Sequence, residues 1–461
     1  MTTVRDAAEA RFSMKMPLVV IGAGAAGLVA ALSAAETGAE VLVVERDALP
    51  RGSTALSAGL VPAAGTRWQR AAGIEDSADA FAADIMAKAH HEPDPAEVML
   101  LARTAGPALE WLHDAHGFAF SVITDFRYPG HSALRMHGLP SRSGEELIDR
   151  LRKAAEQAGV TILTSARAHT LFTGGGAVQG VGFAWPNGAG EDVGCSALVL
   201  ACNGYGGNKM LVAQHIPELA DAHYFGHDGN QGDALLWGAA LGAATRHLSG
   251  HQGHGSVAHP HGVLITWATI TEGGVQVNLK GERFSDESLG YSEQAAIVLA
   301  QPDGCAFTVF DERIASVARQ FEDFRRAEQM GAILTADTPA ELATRARLPA
   351  AALADTLIEV AALKQVGGVD VFGRRFAGVA QLKPPYRAVR VTGALFHTQG
   401  GLVIDGEARV LRQDGTVIQN LYAAGGAACG VSGASAGGYL SGNGLLSAVA
   451  LGRVAGRAAV S

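Results

Sequence analysis

Lysine and arginine form no long run anywhere in this chain of 461 residues, and the formal net charge of -9 supplies no basic field for a polyanion. Nucleic acid is therefore excluded as a partner. Charged residues are also sparse, 18% against 48% hydrophobic, which excludes wholesale disorder and calls for a large buried fraction. Cysteine is rare: Cys195, Cys202, Cys305 and Cys429 stand apart with no Cys-X-X-Cys spacing. They read as thiols of a reducing compartment, not as a disulfide frame or zinc site, so a cytoplasmic protein is expected. Internal repeats and low-complexity tracts are missing as well.

A membrane anchor is not expected either. Residues 17–35 are uncharged and mostly apolar, but glycines interrupt them, and the preceding leader mixes Asp6 and Glu9 with Arg5, Arg11 and Lys15 without a twin arginine. His247, His251, His254, His259 and His261 invite a metal reading, since imidazole is a common zinc ligand. Their spacing fits no familiar ligand signature and no carboxylate lies among them, so no metal is expected.

At this length one core stops growing, and two domains with a cleft are the reasonable expectation. The most informative segment is Leu18-Val-Val-Ile21, a short apolar strand, followed by Gly22-Ala-Gly24-Ala-Ala-Gly27 and an alanine-rich helix to about Thr37. Gly38 breaks the helix, and Glu40-Val-Leu-Val-Val-Glu45 is a second buried strand. Gly22 and Gly24 permit a tight turn and close approach of backbone to a pyrophosphate, while Gly27 lets helix pack on strand. The phosphates then meet the positive end of the helix, and Glu45 is placed to accept hydrogen bonds from a ribose diol. An ordinary glycine-rich crossover is the alternative, against which the order of strand, turn, helix, strand and terminal acid argues.

Further along, helical patterns fill residues 77–116 and 144–159, and strands are expected at 160–163, 177–185 and 197–201. From about Ala239 to Lys383 strands and helices mix, with a helical run at 341–364. Strands and turns resume at Tyr386, a last buried strand falls at 420–425, and a final helix starts near Asn443. The expected fold is α/β with an α+β cap: residues 1–238 and 384–461 form one domain, into which 239–383 is inserted.

Several motifs then act together: the glycine turn with Glu45, Gly52-Ser-Thr-Ala-Leu-Ser-Ala-Gly59, Leu198-Val-Leu-Ala-Cys-Asn-Gly204, Gly232-Asp233, Gly281-Glu-Arg-Phe284, Phe396-His-Thr-Gln-Gly-Gly401, Leu421-Tyr-Ala-Ala-Gly425 and Ser441-Gly-Asn-Gly444. In these the chain resembles, over nearly its whole length, the flavoprotein family of soluble fumarate reductases, succinate dehydrogenase flavoprotein subunits and 3-ketosteroid Δ1-dehydrogenases. The resemblance implies a Rossmann-like FAD-binding domain of the glutathione-reductase type with an inserted substrate-binding cap. It implies FAD contacts at Gly22, Gly24, Ala26, Gly27, Glu45, Arg46, Gly52, Ser53, Thr54, Ser57, Ala58, Gly59, Ala166, Ala201, Asn203, Gly204, Asp233, His397, Gly425, Gly442, Asn443 and Leu445. The final helix would aim its first amides at the flavin pyrimidine, where negative charge accumulates on reduction. Ser53 or Thr54 stands near the place where membrane complexes carry a flavin-linking histidine, so the FAD is expected to be noncovalent. Many members have a glutamate after the Leu-Tyr-X-Ala-Gly stretch to hold ribityl hydroxyls; this chain has Gly426.

The residues that meet substrate depart from the fumarate pattern. Arg283-Phe-Ser-Asp-Glu287 is followed by Ser288-Leu-Gly-Tyr291, with Tyr291 where the fumarate reductases carry their proton-donating arginine. Trp267 and Ile270 replace the glutamate and second arginine of their proton relay, and Tyr439 replaces an arginine near the end. Two lost guanidinium groups remove most of a dicarboxylate clamp. The ketosteroid dehydrogenases have tyrosines at both positions. That resemblance gives Tyr439 and the Gly444 amide the role of binding a ketone oxygen, and Tyr291 that of removing the α-proton. With an ordinary pKa near 10, Tyr291 needs help to act as a base, and Tyr128 is the candidate assistant. His397 and, more weakly, His254 match substrate-binding histidines. Arg135, with Arg127 and Arg142 nearby, would pair with a substrate carboxylate, or else with FAD phosphate or a surface carboxylate.

The expected activity is an FAD-dependent dehydrogenation that introduces an α,β double bond beside a ketone, in a small cyclic keto acid such as 4-oxocyclohexanecarboxylate or another cyclic ketone. Oxygen, a quinone or a redox protein would take the electrons. The alternatives are a fumarate-type reductase of an unsaturated acid and a flavoprotein subunit without catalysis of its own.

Overall fold

The computed structural model describes residues 2–461, which divide into two compact units. The first comprises the chain up to Ile216 with Gly226–His251 and His397–Ser461; the second comprises Pro217–Phe225 and Gln252–Phe396.

A nine-stranded sheet forms the first unit. Its middle is parallel: Val417–Ala423, Gly190–Leu200, Phe12–Ile21, Val41–Val44 and Thr161–Leu163 lie in that order, with Leu18 opposite Val41 and Ala197 opposite Leu18. The paired stretches Leu18–Ile21, Val41–Val44 and Ala197–Leu200 read as unbroken apolar runs because parallel strands are covered on both faces. The helix Ala25–Ala35 is correspondingly buried all round, and it packs against the final helix Asn443–Ala458. Gly456 makes that approach possible, since a Cβ there would lie 2.1 Å from the carbonyl oxygen of Ala30. The apolar run at 17–35 is thus a strand end, a turn and a helix, and among the described residues no helix is long and apolar enough to cross a membrane. Residues read from sequence only as a leader join the sheet as the strand Thr3–Asp6, parallel to Arg167–Gly174.

In the second unit a mixed sheet is built around the long strand Tyr386–Thr398, which pairs antiparallel with Cys305–Asp311 and with Ile333–Ala336. Alternation along the strands serves two cores. Ala306, Phe310, Val389 and Val391 pack with Ile314 and Phe324 on one face, while Phe307, Val309 and Ala388 pack with Leu342, Leu353 and Phe376 on the other. The unit spans Gln252–Phe396 where the sequence suggested 239–383. Strand pairing explains the shift: Thr245–Arg246 pair with Gly401–Leu402 in the first unit, and the strand Tyr386–Thr398 belongs to the second for most of its length. The helical run expected at 341–364 is two helices, Pro339–Ala346 and Ala350–Val366.

Candidate active site

The glycine turn of the first unit is built for a close-lying ligand. Gly22 has φ +103°, and a Cβ there would lie 2.5 Å from the carbonyl oxygen of Ala201; at Gly27 it would lie 1.9 Å from that of Gly22. Only hydrogen fits at either place. Thr54, on the short helix Gly52–Ala55, accepts the Ala25 N–H at 3.0 Å and so satisfies an amide in the first turn of the nucleotide-binding helix. The buried Glu45 carboxylate accepts the N–H groups of Ala23 and Asp47, each at 2.8 Å. Burial raises its pKa, and these bonds oppose the rise.

Most of the remaining expected cofactor residues gather here. Asn203 Nδ2 donates to Ser53 Oγ at 3.2 Å, and the Gly204 N–H donates to Asn203 Oδ1 at 2.8 Å. The Gly232 N–H reaches the Gly204 carbonyl and brings in Asp233, while the Ala166 N–H bonds the Glu45 carbonyl. Ser57 Oγ donates to the Thr54 carbonyl and accepts the Gly59 N–H, enclosing Ala58. A Cβ on Gly425 would lie 2.8 Å from that of Ala26. Arg46 turns to the Gly229 carbonyl at 2.8 Å. Gly426 has a physical reason to lack a side chain: its Cβ would lie 2.1 Å from Asn203 Oδ1, so the Asn203 amide fills that space. At the start of the final helix Asn443 is fully buried, and its Oδ1 has no hydrogen-bond partner. A cradle closed to side chains and an orphaned buried acceptor fit FAD.

Tyr439 precedes this helix, whose N-cap residue Gly442 has φ +91°. The backbone amides of Gly442 and Gly444 hydrogen-bond its phenol oxygen; burial nevertheless dominates and raises the pKa of the group above its ordinary value. The His397 ring meets the Tyr439 ring edge to face, centroids 5.3 Å apart. A Cβ at Gly444 would stand 3.1 Å from His397 Nε2, so glycine lets this nitrogen come close to the helix start, where Leu445 follows. Burial lowers the His397 pKa to about 4 and keeps the ring neutral at pH 7. Tyr128 lies near enough to Tyr439 to act on it electrostatically. Its loop docks there through His131 Nε2, 2.9 Å from the Ser441 carbonyl oxygen.

In the second unit Tyr291 stacks on His254, ring centroids 4.9 Å apart and 18° from parallel. Trp267 meets both edge to face, and Phe396 lies 5.5 Å from His254. The Gly255 N–H holds the Tyr291 carbonyl at 2.9 Å. Burial lowers the His254 pKa to about 3, so this ring too is neutral. Below the segment that carries Tyr291, Glu287 is clasped by Arg283 and, at 2.9 Å, by Arg374.

Arg135 requires a correction. Its side chain and that of Asp76 are fully buried and joined at 2.8 Å, and its other nitrogen pairs with Asp84. It stacks over Phe81 at 4.6 Å. With its donors committed to two carboxylates, Arg135 anchors the helix Ala78–Lys88 and is not available to a substrate carboxylate. Arg142 pairs with Asp125 at the surface, and Arg127 is exposed. The five clustered histidines divide between the units, and among the described residues no three histidine, cysteine or acidic side chains converge as metal ligands.

Sequence reading passed over Gln399 and Ser432. Gln399 lies inside a quoted motif, but its bonds to His397 and Ser432 need the folded chain.

Comparison with known proteins identifies the relatives. The family model described as FAD binding domain matches residues 18–445. A probable fumarate reductase of Shewanella frigidimarina is 30% identical, covering 98% of this chain and 76% of its own. The 4-oxocyclohexanecarboxylate 2-dehydrogenase of Sinomonas cyclohexanicum is 26% identical, covering 89% of this chain and 87% of its own. The crystal structure of a 3-ketosteroid Δ4-(5α)-dehydrogenase from Rhodococcus jostii, in complex with 4-androstene-3,17-dione, aligns with a TM-score of 0.79 at 26% identity over 99% of both chains.

Proposed function

This chain belongs to the FAD binding domain family, as an FAD-dependent oxidoreductase, and from that premise we propose that it desaturates a cyclic ketone at the α,β bond. The observation that carries the reading is the meeting of uncharged groups at the start of the final helix: the Tyr439 phenol, the Gly444 amide and the neutral ring of His397. A dicarboxylate would call for cations, and Arg135 is already paired with Asp76 and Asp84.

In this mechanism the Gly444 N–H, which meets the Tyr439 oxygen in this structure, turns to the ketone oxygen when substrate binds, and the Tyr439 hydroxyl donates to the same oxygen. As the α-proton leaves, negative charge grows on that oxygen, and each donor stabilises it by about 3 kcal/mol. Tyr291 takes the proton, and its aromatic surroundings of His254 and Trp267 suit an apolar ring substrate. His397 and Tyr128 complete the substrate contacts. When bound, noncovalent FAD supplies the acceptor for the β-hydride. Oxygen, a quinone or a redox protein then takes the electrons.

A fumarate-type reduction of an unsaturated acid is the second reading, favoured by the 30% identity to the Shewanella protein. Anaerobic mixing separates the two. Under the first reading 4-oxocyclohexanecarboxylate bleaches the visible absorbance of the oxidised flavin; under the second, fumarate restores it to the reduced protein. Tyr291→Phe should slow the bleaching at least about a hundredfold with FAD retained, as for loss of a general base. Near-normal bleaching would remove Tyr291 from the mechanism.

A further inference from the structure

A chain of hydrogen bonds with one direction ends on His397. Asn443 Nδ2 donates to Ser432 Oγ at 2.9 Å, the Ser432 hydroxyl donates to Gln399 Oε1 at 2.6 Å, and Gln399 Nε2 lies 2.8 Å from His397 Nδ1. Asn443 and Ser432 are fully buried and Gln399 is nearly so, which shields the relay from exchange with water. An amide nitrogen only donates, so in this orientation Nδ1 is the acceptor. With Asn443 donating, Ser432 fixes the orientation of the Gln399 amide. If Gln399 were turned round, its NH2 would face an oxygen that already receives the Asn443 amide, and the buried serine proton would lose its acceptor.

Nδ1 has a competing neighbour. The Thr398 carbonyl oxygen lies 3.4 Å away and would draw a proton onto Nδ1. Gln399, at 2.8 Å, is the closer partner and favours the opposite tautomer. The choice matters because Nε2 is the nitrogen beside Gly444. Protonated, it is a third donor to the substrate oxygen; bare, it repels that oxygen.

We propose that Gln399, backed by Ser432 and Asn443, is a positioning residue that holds His397 as the Nε2–H tautomer and so makes it a neutral donor to the substrate carbonyl. This rests on the reading of His397 as a substrate contact, but its test needs no substrate, so failure of the desaturase assignment leaves the test standing.

Nitrogen NMR of the holoprotein with 15N-labelled histidine, assigned by a His397→Asn comparison, reads the tautomer directly at pH 7. The wild-type ring should show a bare, pyridine-like Nδ1 and a protonated, pyrrole-like Nε2. Gln399→Glu keeps the side-chain size but places a carboxylate acceptor against Nδ1, which should then gain a proton. Gln399→Leu leaves the Thr398 carbonyl as partner and should transfer the proton from Nε2 to Nδ1. A wild-type ring protonated on Nδ1, or a Gln399→Glu ring whose Nδ1 stays bare, overturns the proposal.

Discussion

Replacing Tyr439 by phenylalanine separates two roles that the phenol oxygen combines. It accepts the amides of Gly442, the N-cap residue of the helix Asn443–Ala458, and of Gly444 in its first turn, neither of which has a partner within the helix. In that role it acts as a cap, and its loss costs about 1 kcal/mol of stability. As one donor to a developing oxyanion, its loss should cost about 100-fold to 1,000-fold in the rate of desaturation. The Gly444 amide and His397 remain, so activity should fall without vanishing. Stopped-flow bleaching of the flavin by a cyclohexanone acid under argon gives the rate, and the urea midpoint of the holoprotein gives the stability. Since the interaction strengthens as charge develops, the maximal rate should fall far more than ground-state affinity. A Tyr439→Phe protein that bleaches within about threefold of wild type, with a normal flavin content, would refute the argument and leave Tyr439 a helix cap alone.

Three other outcomes are expected. Arg135→Met breaks a fully buried pair and should cost about 3–5 kcal/mol in urea unfolding, while leaving the preference for a keto acid over uncharged cyclohexanone unchanged; a selective loss of the acid would restore a substrate role. His137 is fully buried, its Nδ1 near the Arg135 carbonyl oxygen and its Nε2 near Thr66 Oγ1, and burial lowers its pKa from 6.5 to about 4. Because the unfolded chain takes up this proton first, stability falls as pH drops from 6.5 toward 4, by about 1.4 kcal/mol per pH unit from this residue. His137→Gln should flatten the measured slope by that amount, and an unchanged slope would contradict the reasoning. Gly27→Ala sets a methyl 1.9 Å from the Gly22 oxygen and should purify without FAD, whereas Gly38→Ala, with nothing within 4 Å, should keep it.

The nucleotide-binding segment was legible in sequence because its physics is local: Gly22 to Gly27 span a turn and the start of a helix, and Glu45 directly follows the next strand. The approach of Tyr439 to the Gly444 amide is equally local, since the two stand five residues apart about a helix start. The misreading of Arg135 has the opposite cause. Asp76 and Asp84 lie 59 and 51 residues before it, and no periodicity announces that a fold will bring two carboxylates to one guanidinium. The stacking of His254 on Tyr291 and the relay to His397 are likewise contacts between segments far apart in the chain. The unit boundary moved because a strand can run on past the point where composition changes.

One feature of the large sheet governs how it can be assembled. The strand Gly190–Leu200 pairs through its first half with the neighbouring hairpin strand Ala177–Ala184, and through its second half with Val417–Ala423. During synthesis the growing chain must carry the unsatisfied edge of Leu198–Leu200 until a strand more than two hundred residues later emerges to cover it. Closure over so long a loop is slow, and the exposed edge can recruit other nascent chains meanwhile. Flavin supply in the expressing cell, by stabilising the closed sheet once it forms, should therefore raise the yield of soluble protein more than its final thermal stability.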